Sequence, residues 1–184
     1  MRFEDLLGDG RLWGTIYEGK EKDALSELFE KWEDVHWLKD FFDANLKDLE
    51  AYFHITDVNR AIYDTLDDAS ELRCLIFDIK PEENLEHLFR HLENYRSFEM
   101  ILGKEKAKGK AIHTDHPSWL RIYALRLEKD AYLITGGAIK LTYKMEERTH
   151  TLEELQKMEL VRNFLLENGA HDLESFIEFN LEEP

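Results

Sequence analysis

The chain holds one cysteine, Cys74, and therefore closes no disulfide within itself. Its apolar runs are only a few residues long, against the roughly 20 that a membrane-spanning helix requires. The opening residues MRFEDLLGDGR lack the apolar stretch and small-residue cleavage site of a signal peptide. These absences predict a soluble, cytoplasmic protein with no membrane partner. Positive charge is also scarce: 24 Lys and Arg stand against 40 Asp and Glu, for a net charge of −16. That balance disfavours non-specific binding to nucleic acid, whose phosphates need clustered cations. Neither a glycine-rich phosphate loop nor a GxSxG nucleophile motif occurs. With forty carboxylates, no acid pair stands out as a glycosidase dyad. No cofactor is expected.

What the chain does have is core-forming material. Hydrophobic residues make up 43% and aromatics 12% of 184 residues, enough for one domain over 1–184. The charge is uneven. Residues 104–150 carry ten Lys and Arg against six Asp and Glu, a basic island between segments of −13 and −7. Such an island suits one anionic partner; a solvated charged loop, KEKAKGK, is the plainer explanation.

Periodicity places the elements. LWGTIYEG (12–19) reads as a strand closed by Gly19. From Glu21, Leu25, Leu28, Phe29, Trp32, Val35 and Leu38 recur at helical spacing, with a break at Asp34 and a kink near Asn45. Thr56 is the expected N-cap of a helix whose stripe is Val58, Ile62, Leu66, Ala69, Leu72 and Ile76, with Cys74 a small packing residue beside Tyr63. Pro81 starts a predicted helix running to Leu102 through Leu85, Leu88, Phe89, Leu92 and Tyr95. GKEKAKGKAIHTDHPS is expected to be a loop. WLRIYALRLE (119–128) is a strand, and further strands flank Gly136-Gly137, which reads better as a bulge in one long strand than as a hairpin turn. Thr151 and Glu154 fit a capping box, Leu152, Leu155, Met158 and Leu165 form a stripe, Gly169 stops the helix, and Asp172 caps a last one. Trp32, Trp37, Phe41, Phe42, Tyr52 and Phe53 are assigned to the core. The order predicts an α+β fold, a small antiparallel sheet packed against several helices.

The segment LITGGAIKLTYKM (133–145) carries the candidate chemistry. Alternation along a strand puts Ile139, Leu141, Tyr143 and Met145 on a core face and Ala138, Lys140, Thr142 and Lys144 on a polar one. On the preceding strand Arg121 and Arg126 fall on opposite faces, so without a bulge only one of them joins the lysines. RIYALRLEKDAYLITGGAIKLTYKM with the following LEELQKMELVRNFL resembles the C-terminal half of the RelE/HigB-like toxins, and LWGTIYEG with KDALSELFEKW is similar to their opening strand and helix. The resemblance covers 12–32 and 119–167. It implies a RelE-like core with a large helical insert at 34–110, and a metal-independent, ribosome-associated endoribonuclease acting on mRNA, with an antitoxin-like protein as partner. Arg121 or Arg126 and Lys140 would then stabilise phosphate charge, and Tyr143 or His150 would move protons. The chain departs from the family in its acidity, in the length of 34–118, and in Leu141, where a second lysine belongs.

A different class of function competes: a non-catalytic acidic protein that binds a basic partner or imitates nucleic acid, with Arg121, Arg126 and Lys140 consumed in ion pairs. His113, Asp115 and His116, with His150, offer metal-donor types, but their loop spacing matches no metal motif, and solvent-exposed histidines are expected instead. His87 and His91 are read as surface residues of one helix face.

Overall fold

The computed structural model describes residues 1–92, 101–108 and 116–182. The fold is α+β. Strands β1 (Arg2–Asp5) and β2 (Leu12–Ile16) lead into helices α1 (Ala24–Glu33), α2 (Val35–Ala44), α3 (Leu46–Phe53) and α4 (Val58–Phe77). Strands β3 (Phe89–His91), β4 (Gly103–Lys108), β5 (Leu120–Glu128) and β6 (Ala131–Ile139) follow, then α5 (Thr149–Glu167) and α6 (Leu173–Glu182). Single 3-10 turns lie at Leu85–His87 and Met145–Glu147. The six strands form one sheet in the order β1-β2-β6-β5-β4-β3. The sheet is larger than expected and mixed: β2 and β6 run parallel, and every other pairing is antiparallel. A parallel pairing needs a long crossover, and the four helices after β2 supply it.

Helices cover both faces. Leu12, Leu120, Ile122, Ala124 and Ile134 point to the side of α1–α4, where Leu25, Phe29, Trp32, Leu38, Phe42 and Leu72 join them in the main core. Leu125, Leu127 and Leu133 point the other way, against Val161 and Leu165 of α5 and Phe176 of α6. Asp34 accepts from the backbone N–H groups of His36 and Trp37, so one residue ends α1 and starts α2, at the expected break. Asn45 separates α2 from α3. The cap of α4 is Asp57, one residue past Thr56. Cys74 is exposed rather than packed. Gly169, at φ +79°, follows the C-cap of α5 in the left-handed region that glycine adopts at least cost. Asp172 caps α6 through Ser175.

Four expectations are corrected. The helix from Pro81 does not form over 81–92: Leu85 and Phe89, four apart, are both buried, but as a 3-10 turn and the start of an edge strand. Its continuation over 93–100 lies outside the described residues. GKEKAK is a strand, not a loop, so the segment 34–110 is helical only in its first part and then adds β3 and β4 to the common sheet. Strand β6 ends at Ile139, so the alternation expected through Met145 fails: Leu141 and Thr142 are both buried, and Tyr143 is 82% exposed instead of core-facing. In α5, Thr151 lies inside the helix, its hydroxyl donating to Arg148 O at 3.0 Å, and makes no capping box with Glu154.

The two glycines do mark a bulge. Tyr123 opposes Gly136 while Ala124 opposes Ile134, leaving Thr135 as an extra residue on β6. A Cβ on Gly137 would lie 2.4 Å from Arg121 O and 2.4 Å from Leu28 Cδ2, so only glycine lets β6 pass between β5 and α1. Gly137→Ala is expected to destabilise the fold by about 1–3 kcal/mol, the usual cost of overpacking. Urea unfolding followed by tryptophan fluorescence checks this, and an unchanged midpoint would contradict it.

Candidate anion-binding site

The register fixes which charged side chains meet. Lys106 opposes Tyr123 and Lys108 opposes Arg121 across β4 and β5, while Arg90 opposes Lys106 across β3 and β4. Directly opposed residues share a face. Leu125, opposite Lys104, belongs to the layer under α5, and Lys104 pairs with Glu159 of that helix. Arg90, Lys106, Lys108, Arg121 and Tyr123 therefore all project to the α5–α6 side. Ala138, opposite Arg121, does so too, and Lys140 two residues on continues that parity. At strand spacings of about 4.8 Å across and 6.8 Å per two residues along, the backbones of Lys106, Lys108 and Arg121 lie within about 9 Å of one another.

Arg90, Lys108, Arg121 and Lys140 differ from the neighbouring basic groups that are ion-paired. Lys104, Arg126, Arg148 and Lys157 are paired with Glu159, Glu86, Asp48 and Glu154. Among the described residues, no carboxylate lies within ion-pair distance of Arg90, Lys108, Arg121 or Lys140. The Arg121 guanidinium donates instead to the carbonyls of Ser118 and Leu120, at 2.8 and 2.7 Å. Lys106 donates to Leu92 O at 2.9 Å, and Lys140 to Tyr143 O. Burial lowers the pKa of Lys106, Lys108 and Lys140, and the charge of Arg121 lowers each further. Arg90 adds to the repulsion at Lys106 and Lys108, while Glu146 and Glu147 partly offset it at Lys140. The surface is a set of partly desolvated, mutually repelling cations, the arrangement that a bound anion relieves.

Of the five residues marked in the sequence, the fold brings Arg121 and Lys140 together. Arg126 lies on the opposite face of the sheet, 3.2 Å from Glu86. The exposed ring of Tyr143 meets Tyr52 of α3 edge-on at 5.1 Å. His150 shares a hydrogen bond with Ile139 O at 3.0 Å, and its ring packs against Phe41 of α2. Arg90, Lys106 and Lys108 were missed, because they sit in segments read as helix and loop. The signal was present: Lys104, Lys106 and Lys108 recur with period two, and the interleaved Glu105 and Ala107 are buried.

The expectation of solvent-exposed histidines fails at His116, which is buried. His116 Nε2 lies 2.8 Å from Asp64 under the ring of Trp119, away from the contacts of His150, and His113 and Asp115 lie outside the described residues. His91 is not on a helix with His87; it pairs from β3 with the buried Glu105 at 2.7 Å. No helix among the described residues is long and apolar enough to cross a membrane.

Comparison with protein-family models, curated proteins and solved structures finds no significant match to this chain.

The lysines carry a pH signature. Their folded pKa values lie below the ordinary 10.5, so in the interval between, the unfolded chain holds more protons and stability rises with pH. This contribution is complete above 10.5 and is lost as pH falls through the lowered values. Tyr17, Tyr123 and Tyr132, raised by burial, act oppositely, but only from about pH 10.0 upward, where unfolded tyrosine ionises. Melting temperatures measured between pH 8 and 10 should therefore show a smaller rise for Lys140→Met than for the unaltered protein; identical slopes would contradict the desolvated cluster.

Proposed function

We propose that the cationic face of β3, β4, β5 and the end of β6 binds a phosphodiester chain, single-stranded RNA being the ligand class. The observation that carries this reading is the gathering of Arg90, Lys108, Arg121 and Lys140, without carboxylate partners among the described residues, in a chain of net charge −16. Forty acidic residues were available to neutralise them. Concentrating unpaired cations on one face is what recognition of several phosphates requires. The exposed Tyr143, next to the Lys140 contact and leaning on Tyr52, borders the patch with rings on which an unpaired base can stack. A net negative protein repels nucleic acid at long range, so binding is confined to this patch, and its phosphate contacts weaken as salt rises.

Cleavage of mRNA on the ribosome, which the toxin resemblance implies, would use Arg121 and Lys140 against the charge of the reacting phosphate. It also needs a proton acceptor beside the attacking hydroxyl. The ring of Tyr143 meets Tyr52 of α3 and that of His150 meets Phe41 of α2, and neither side chain is hydrogen-bonded to Arg121 or Lys140. RNA binding is thus the reading with the stronger support, and cleavage is an additional activity scored on the same samples. The competing reading, an acidic surface for a basic partner, rests on the net charge and leaves the cationic face unexplained.

The test is fluorescence anisotropy with a labelled single-stranded RNA of ten nucleotides, from low to physiological salt. Arg121→Ala and Lys108→Ala should each lower the slope of log affinity against log salt by about 0.7, the share of one phosphate contact on a single strand. Lys39→Ala, remote on α2 and paired with Asp43, should leave the slope unchanged. Absence of binding at low salt, or an unaltered slope in both variants, would rule the proposal out.

A further inference from the structure

We propose that Glu154 of α5 is the positioning residue of this anion site, acting through the β6 bulge to hold Lys140 on the face of Arg121. The inference rests on the RNA-binding reading for its functional meaning, though not for its structural content.

The extra Thr135 reverses the alternation of β6. Leu133 points to α5 and Ile134 to the α1–α4 side; after the bulge Gly136 and Ala138 point to α5 again. In an unbulged strand the even-numbered residues after Ile134 would stay on the α1–α4 side, and Lys140 would be directed there with Ile139 turned outward. The bulge therefore decides whether Lys140 joins Arg121 or meets an apolar layer.

Several polar contacts hold it. Tyr17 Oη donates to Thr135 O at 2.6 Å, Thr15 Oγ1 to Ile134 O at 2.8 Å, and Thr135 Oγ1 to Tyr123 O at 3.3 Å. The fourth element comes from the helix. Glu154 is 7% exposed, and its Oε2 lies only 2.1 Å from where a Cβ on Gly136 would stand. The carboxyl group thus fills the space that the glycine leaves open. Oε1 accepts from Lys157 at 2.6 Å, while Oε2 has no hydrogen-bond partner among the described residues, and the nearby Gly137 N–H favours the charged form of the group. Glu154 does not act on the cations as a counter-ion: the cations that bear on it are Lys157 and Lys31, not those of the patch. A half-satisfied acid beside Met158 and Tyr123 is a poor choice for stability alone, where leucine would pack without desolvation cost. Its location over Gly136 gives it a role, that of a wedge fixing the bulge.

The decisive experiment is a double-mutant cycle on the full chain with the same RNA probe, together with NMR titration of the Lys140 ammonium group. Glu154→Gln, whose carboxamide fills the same space, should bind RNA as the unaltered protein does. Glu154→Ala and Gly136→Ala, which remove or displace the wedge, should weaken binding by about two- to fivefold, as Lys140→Ala does. Combining Glu154→Ala with Lys140→Ala should add no further loss, whereas combining it with Arg90→Ala should multiply the two losses. In Glu154→Ala the Lys140 titration should move up toward that of an ordinary lysine, as the ammonium leaves Arg121 and Lys106. A merely structural Glu154 would lower the melting temperature and weaken all contacts alike, so that its loss multiplied with that of Lys140. That result, or a Lys140 titration unmoved in Glu154→Ala, would overturn the proposal. Should the unaltered protein fail to bind RNA, the anion-site reading falls, and the Lys140 titration still decides the role of Glu154.

Discussion

Thr135, one residue more on β6 than its partner strand can match, decides the face of the sheet on which Lys140 falls. Side chains alternate along a strand, so a single inserted residue sends everything beyond it to the other face. Before the bulge, the face of β6 toward α5 carries Leu133; after it, Ala138 and then Lys140. The apolar layer and the cationic patch are thus written on one strand without interfering. The bulge depends in turn on two absent side chains. Gly137 admits Leu28 of α1 from one side, and Gly136 admits Glu154 of α5 from the other. The same dipeptide brings both helical layers up to the sheet.

The electrostatics follow from burial more than from composition. A net charge of −16 sets a repulsive background for polyanions, yet fields close to a surface are dominated by the nearest groups, because distant exposed charges are screened within about 8 Å at physiological ionic strength. Across β4 and β5 the nearby acids among the described residues that might neutralise Lys108 and Arg121 are directed elsewhere. Glu105 points to the opposite face, toward His91 and Arg126, and Glu159 on α5 is engaged by Lys104. Pleating, rather than a local excess of lysine, separates the two signs. Arg126 shows the same rule in reverse: five residues from Arg121 in the chain, it sits across the sheet against Glu86.

Much of the architecture was legible beforehand. The stripe on α4, the Asp34 junction, the Gly169 stop and the bulge at the paired glycines were all readable, because periodicity, capping and turn chemistry are local. The failures are instructive. Leu85 and Phe89 satisfy helical spacing, but four residues is also the span from a 3-10 turn to the first residue of a strand, and only the pairing of Phe89 with Ala107 chooses between them. Lys104–Lys108 looked like a solvated loop because four of its five residues are charged; a neighbouring strand, β5, makes it a sheet element.

The sequence by itself determined the α+β class, the apolar stripes of α1 and α4, and the place where β6 had to bulge, since each depends on contacts between residues a few positions apart. Only the tertiary structure decided that Arg90, Lys106, Lys108, Arg121 and Lys140 share one face while Arg126, Tyr143 and His150 do not. That outcome is set by register between strands whose partners lie up to about twenty residues apart in the chain, and by the end of β6 at Ile139, beyond which Tyr143 and His150 no longer follow the alternation.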